Sequence, residues 1–280
     1  MKITARVNTF NEEDNIGAAL ESVSFADEII VVDSFSTDRT TEMARRYTDR
    51  VVSHAFASHG DQHNYADSLC QHDWVLVLDA DERLTPELAA AIRALQAQGT
   101  ALDGFCMARR AWYLGRWIRH SGWYPDWQTR LYRRAVTRWD GEPPHEAPKV
   151  AGRVAHLPGD LLHYTRRSLH EHVAVMNHYT DLAAAARFRE GRSVTNLQMA
   201  LTPPWVFFQS YILKQGFRDG WPGLVIAYLA ASYVLIKHAK LLEKQRLGAA
   251  GVEAGGPPAG TFPARPGSTG AGGVGQAGDS

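Results

Sequence analysis

Residues 74–82 read Trp74-Val75-Leu76-Val77-Leu78-Asp79-Ala80-Asp81-Glu82. Five consecutive apolar residues, stopped at once by carboxylates, are the pattern of a strand buried on both faces. Two similar runs precede it. Ile3–Thr9 is one, and Glu28–Val32, which ends at Asp33, is the other. Between them Glu12–Val23, Thr37–Tyr47 and Gly60–Leu69 have helical composition, with Ser36 or Thr37 as N-cap candidates, and Arg50–Ser53 reads as a short strand. Thr85 opens a helix over Pro86–Gln98, with proline at its first position and Gly99 just past its end. Strands alternating with helices predict an α/β fold, a mostly parallel sheet with helices on both faces.

The 280 residues are 45% hydrophobic and 21% charged, enough for a real core. Zero formal net charge gives no global field to attract nucleic acid. Charge is nevertheless uneven. Arg109 to Arg138 holds eight arginines and one acid, Asp126, which suits an anionic substrate and equally a solvated rim. Arg130, inside this run, is a candidate substrate-binding residue. Cys70 and Cys106 lack a CxxC partner, so neither a zinc site nor a disulfide scaffold is expected. The chain opens on a strand pattern without a secretory signal, and the expected location is cytoplasmic. No stretch reaches the roughly 20 apolar residues of a membrane span; the nearest is Pro222–Ile236.

Later segments change character. Gly104 to His163 mixes short β-like runs (Phe105–Ala108, Thr129–Tyr132) with aromatic loops. Arg167–Glu190 and Pro203–Arg246 read as helical, the second broken near Gly220-Trp221-Pro222. Residues 248–280 hold eleven of the 24 glycines and three charged groups. Such a tail buries too little apolar surface to offset its ordering entropy, and disorder is expected there.

Polar residues follow three of the strands: Thr9-Phe10-Asn11-Glu12-Glu13, Asp33-Ser34-Phe35-Ser36-Thr37-Asp38 and Asp79-Ala80-Asp81-Glu82. If the strands are parallel, all three clusters share the carboxyl edge, where ligands bind in such sheets. Taken singly, Asn11 or Asp38 does no more than cap a helix. Asp79 and Asp81, two apart as the chain leaves a strand, can face one ion. Mg²⁺ and Mn²⁺ favour one or two carboxylates plus substrate phosphates.

With these residues in place, the chain resembles a family 2 glycosyltransferase of the GT-A fold. It is most similar to the bacterial lipopolysaccharide-core glucosyltransferase group. The three strand-end clusters carry the resemblance, with Val31-Val32 before the second and Arg39-Thr40 after it. Gly216-Phe217-Arg218-Asp219-Gly220-Trp221-Pro222-Gly223 resembles that group too, and the similarity covers about residues 1–247. It implies a catalytic domain over 1–165, its nucleotide-sugar half about 1–100 and its acceptor half about 101–165. A helical extension over 166–247 follows. By this resemblance Thr9, Asn11 and Glu12 line the nucleotide pocket, Asp33 holds the uracil or ribose, and Gln62 and Asn64 border the nucleotide. Asp79 supports the site, and Asp81 ligates Mg²⁺ or Mn²⁺ directly. Gly122, in Ser121-Gly122-Trp123, is the candidate loop glycine, and His163 the candidate late metal-binding histidine. Glu146, in Pro144-His145-Glu146, is the candidate base, where the commoner motif is Glu-Asp. Asp140 and Glu142 remain rivals for that role. His170 and His172 diverge on a helix and read as structural or solvated.

The chemistry asks for these parts. A nucleotide diphosphate gains negative charge as it leaves, and a divalent ion neutralises it. The acceptor hydroxyl needs a base. Direct displacement inverts the anomeric carbon. The expectation is a metal-dependent inverting transfer of a sugar, glucose, from a UDP-sugar to a lipopolysaccharide-core saccharide. Two further readings stay open: a polyprenyl phosphate acceptor, and a non-catalytic nucleotide-sugar-binding protein at a membrane. Trp112, Tyr113, Trp117, Trp123, Tyr124 and Trp127 can stack on sugar rings or form a loop core. Aromatic and basic residues mixed along Pro203–Leu247 suit the inner face of the cytoplasmic membrane, or a helical pair packed on the domain or in a dimer.

Overall fold

The computed structural model describes residues 1–141, 146–165 and 168–247. Five strands and four helices come first: β1 (Ile3–Thr9), α1 (Ile16–Ser22), β2 (Glu28–Asp33), α2 (Thr40–Ala44), β3 (Val51–Ser53), α3 (His59–Leu69), β4 (Trp74–Asp79), β5 (Glu82–Leu84) and α4 (Pro86–Gln98). Six strands follow: β6 (Gly104–Tyr113), β7 (Arg116–Trp117), β8 (Asp126–Arg133), β9 (Thr137–Asp140), β10 (Ala147–Val150) and β11 (Val154–His163). Three helices end the described chain: α5 (Leu169–Arg189), α6 (Asn196–Phe208) and α7 (Gly220–Leu247).

The main sheet runs β3-β2-β1-β4-β8-β6-β11-β5, with β7 hydrogen-bonded to β6, while β9 and β10 form a separate hairpin. β3, β2, β1 and β4 are parallel, and so are β6 and β11; β8 and β5 run against their neighbours. The sheet is therefore mixed but mostly parallel. Its pleat sends alternate residues to opposite faces. Ile3, Ala5, Val7, Leu76 and Leu78 pack on one side with Ile16 and Leu20 of α1 and Leu88 and Ile92 of α4. Ile30, Val32, Val75 and Val77 pack on the other with Ala66 and Cys70 at the end of α3.

One residue breaks the apolar run of β1. Arg6 is fully buried, and its guanidinium donates to Asp67 Oδ1 at 2.6 Å, His63 Nδ1 at 2.6 Å and the Tyr132 hydroxyl at 2.9 Å. Tyr132 in turn donates to Asp67 Oδ2 at 2.8 Å, and the Trp139 indole donates to Tyr132 at 2.7 Å. Because Arg6 and Asn8 both donate to His63 Nδ1, the ring is neutral with its proton on Nε2. Burial first, and then the Arg6 charge, hold His63 well below the ordinary histidine range.

β11 bulges between His156 and Asp160 over the start of α4. There the Thr85 hydroxyl accepts from Asp160 N and caps Leu88 N, and the Gly159 backbone passes close by. Gly159 has φ +87°, and a β-carbon on it would lie 2.5 Å from Leu88 N. Gly159→Ala should cost about 2–3 kcal/mol, combining left-handed strain with a clash against backbone. Urea unfolding measures it, and an unchanged midpoint would show that α4 can move aside.

α1 and α2 are shorter than their patterns suggest. Asn11, at φ +52°, and the side chains around it hold residues 11–15 and 34–39 as turns instead. The break in the last helical segment lies a little before the expected place. α6 passes into a π-helical stretch (Gln209–Leu213) and then a 3₁₀ turn (Gly216–Asp219) before α7. Ile226 of α7 packs with Tyr113 and Ile118, and Leu241 packs with Ala184 and Val194. The helical stretch Gly216–Arg246 is 31 residues long and, by length and composition, apolar enough to cross a membrane. The tail 248–280, Glu142, Pro144, His145 and Arg167 lie outside the described residues.

Candidate functional site

Parallel pairing puts the three strand-end clusters on one edge. Thr9 lies opposite Asp33, and Asn8 opposite Asp79. Asp33 is buried, and its carboxylate accepts from Ser36 N and Oγ, which ties the loop after β2 to its own strand. The Asn11 carboxamide oxygen accepts Thr37 N at 2.8 Å, and Asp38 Oδ1 accepts Thr40 N at the start of α2. Neither is the N-cap of the helix after it, those being Asn15 and Arg39; Asn11 instead ties the loop after β1 to the loop after β2. Glu12 Oε2 accepts from Asn15, and Thr9 is buried with no hydrogen-bond partner for its hydroxyl among the described residues. Gln62, buried on α3, accepts from His54 Nδ1 and donates to Ser34, so α3 begins at this same edge. Asn64 faces elsewhere: its amide donates to Trp139 O and accepts Trp139 N, which fixes β9.

After β4 the chain turns through Ala80 and Asp81 into β5, whose partner is β11, with Glu82 opposite His163. This register brings the two candidate metal ligands together. Asp81 Oδ2 and His163 Nε2 are 3.4 Å apart, and both side chains are partly open to solvent. Tyr164 N donates to Asp81 O at 2.9 Å and steadies the turn. The oxygen and nitrogen donors suit Mg²⁺ or Mn²⁺, with substrate phosphates and water filling the other positions. Among the described residues no third His, Cys, Asp or Glu joins them.

Asp79 is held differently. Arg130, nearly fully buried, donates from one nitrogen to Asp79 Oδ2 and Glu82 Oε1, each at 2.8 Å. Glu82, fully buried, also accepts Asp79 N at 3.1 Å and lies 3.4 Å from Arg109, which is paired with Asp126. Burial would raise the Asp79 carboxyl, but the Arg130 charge first, with that of Arg109, holds it below the usual carboxylate range. Burial likewise opposes the Arg130 charge, and Glu82 and Asp79 more than restore it. Asp79 is thus an anchored anion whose Oδ2 is engaged by Arg130, whereas the Asp81 carboxylate faces His163. Sequence reading assigned no role to Glu82 or Arg109. Glu82 could have been found from its place between the Asp79/Asp81 pair and buried Leu84.

Glu146 lies at the first turn of α3. Its Oε1 accepts Gly60 N at 2.9 Å, and its Oε2 is buried with no hydrogen-bond partner among the described residues. Asp140 is exposed on the β9–β10 hairpin, hydrogen-bonded to Lys149 at 2.7 Å. The hydrogen bond from Lys149, followed by Gly141 N, holds its carboxyl below the usual range. Gly122 is placed away from these groups, at φ +80° against Lys214. Of the aromatics, Trp112 and Trp117 pack around Tyr164, beside His163. Tyr113 is core, with Trp123 and His172 on its ring. Trp127 stacks on His156.

The family model described as glycosyl transferase family 2 matches residues 6–153. The lipopolysaccharide core biosynthesis glycosyltransferase LpsC of Rhizobium meliloti is 28% identical over 254 residues, covering 88% of this chain and 94% of that protein. An uncharacterized glycosyltransferase of Rickettsia felis is also 28% identical, covering 86% of this chain and 90% of its own. Among solved structures, residues 1–349 of S. aureus TarS align with a TM-score of 0.45 at 18% identity, covering 89% of this chain and 92% of that one.

Proposed function

For a chain that belongs to glycosyl transferase family 2, we propose a metal-dependent inverting transfer of glucose from UDP-glucose to a saccharide of the lipopolysaccharide core. The observation that carries this reading is the 3.4 Å approach of Asp81 and His163 beside the Arg130-anchored Asp79. Asp81 and His163 would hold a divalent cation, which when bound neutralises the departing diphosphate. The edge formed by Thr9, Asn11, Glu12, Asp33 and Gln62 would take the nucleoside. Glu146, whose Oε1 is engaged by Gly60 N, would accept the proton of the acceptor hydroxyl. Trp112 and Trp117 would stack on the acceptor sugar. The name of the Rhizobium meliloti relative supports the acceptor class.

The described chain divides, on this reading, into a catalytic domain over 1–165 and a helical extension over 166–247. The extension exposes Leu201, Trp205, Phe208, Ile212 and Trp221. Such a face, next to basic residues, suits a cytoplasmic enzyme seated on the inner membrane surface, where a lipid-linked acceptor is met.

Thermal unfolding with a panel of nucleotide sugars tests the donor. UDP-glucose with Mn²⁺ at a hundred times its Kd should stabilise the chain by about 2.7 kcal/mol, and EDTA should remove most of that gain. NMR of the product from an α-linked donor should show a β-linkage. A retained α-linkage would overturn the inverting route. Transfer to polyprenyl phosphate rather than core saccharide would move the acceptor, and donor binding without any turnover would favour the non-catalytic reading.

A further inference from the structure

A second cleft, about 350 Å³ in volume, opens where the loop after β7 meets the turn before α7, lined in part by Arg119, His120, Gly122, Leu213 and Lys214. No carboxylate lines it. Asp219 lies behind, 1% exposed, and its oxygens accept Arg119 N, His120 N and His120 Nδ1. Among the described residues no carboxylate pairs with the Arg119 guanidinium or the Lys214 ammonium. Gly122 makes the arrangement possible: a β-carbon there would sit 2.8 Å from Lys214 Cδ, so the glycine lets the lysine stem lie across the loop. Arg116 extends the positive edge, its guanidinium lying against Gly220 at the start of α7. Leu213, which lines the cleft, is 55% exposed, and Phe217 and Trp221, close by in sequence at the turn into α7, are 50% and 62% exposed.

We propose that this cleft binds the phosphate of a lipid headgroup, with Arg119 and Lys214 on the anion and Leu213 and Phe217 against the acyl region. Two unpaired cations without a competing acid select an anion, and exposed apolar side chains beside them select an amphiphile over a soluble ion. The assignment rests on the reading that the enzyme works at a membrane surface, and it gives that surface a specific contact. Bound there, the headgroup would hold the junction of the two parts of the chain against the bilayer.

The test is flotation of the full chain with vesicles of pure phosphatidylcholine, or of four parts phosphatidylcholine to one part phosphatidic acid. Wild type should prefer the phosphatidic acid vesicles about thirtyfold, taking the usual contribution of each basic side chain at an anionic surface. Arg119→Gln with Lys214→Gln should erase the preference while UDP still stabilises the protein against heat, which shows it folded. Phe217→Ala with Trp221→Ala should weaken binding to both vesicles alike. No preference in wild type, or a preference that survives in the Arg119/Lys214 variant, overturns the proposal. Displacement by glycerol phosphate at the lipid's own concentration also overturns it, because the site then takes free phosphate. Loss of sugar transfer with lipid binding intact counts against the transferase reading alone.

Discussion

Asp81→Asn should lower sugar transfer about a thousandfold, the loss expected when a charge opposing the developing diphosphate is removed. The fold should barely notice. Asp81 is partly open to solvent and its side chain lies 3.4 Å from that of His163, so the stability change should stay within about 0.5 kcal/mol. UDP affinity measured by calorimetry should fall in Mn²⁺ and be unchanged in EDTA. Asp79→Asn gives the contrast. That change weakens the pair with Arg130, which keeps its contact with buried Glu82, and should lower stability by about 1 kcal/mol as well as activity. Full turnover by Asp81→Asn would remove it from the metal site and, with it, the case for His163.

Glu146→Gln should reduce kcat by about a thousandfold, the range seen when a general base is lost, and leave the affinity for UDP and Mn²⁺ intact. The amide can still accept Gly60 N through its oxygen, so α3 keeps its first-turn contact. A change in kcat without one in donor affinity marks a residue acting on the acceptor's proton. If the variant is fully active, the base lies elsewhere. Asp140 is a poor substitute, since it is exposed and held by Lys149. Glu142 would then be the carboxylate to change next.

β1, β2 and β4 were legible because each is a largely apolar run ended by a turn signal, whereas β5, β7, β9, β10 and β11 were not read as strands. Thr85, Pro86 and Gly99 likewise marked α4 at both ends. The shared edge was legible too, for it follows from parallel pairing of β1, β2 and β4. What escaped was which contact each polar side chain makes. Asn64 and Gln62 sit two residues apart on α3 and look alike as amides, yet one fixes β9 and the other reaches the loop after β2. The partners, Trp139 and Ser34, are far away in sequence. Arg6 gave a readable sign, a charge within a buried strand, but its partners Asp67 and Tyr132 could not be known before the strand order. Gly122 was chosen by the family resemblance, and its neighbour Lys214, which lies 92 residues later, could not be known before the fold.

Asp81 and His163 belong to segments made at different times. β5 pairs with β11 and with no earlier strand. A ribosome adding about 5–20 residues each second needs roughly 4–16 s to pass from Asp81 to His163. During that interval the nascent chain has Asp81 in place without its histidine, and β5 without a partner strand. Metal capture would therefore report docking of β11, and Mn²⁺ binding followed on stalled chains of increasing length should appear only once His163 has cleared the exit tunnel.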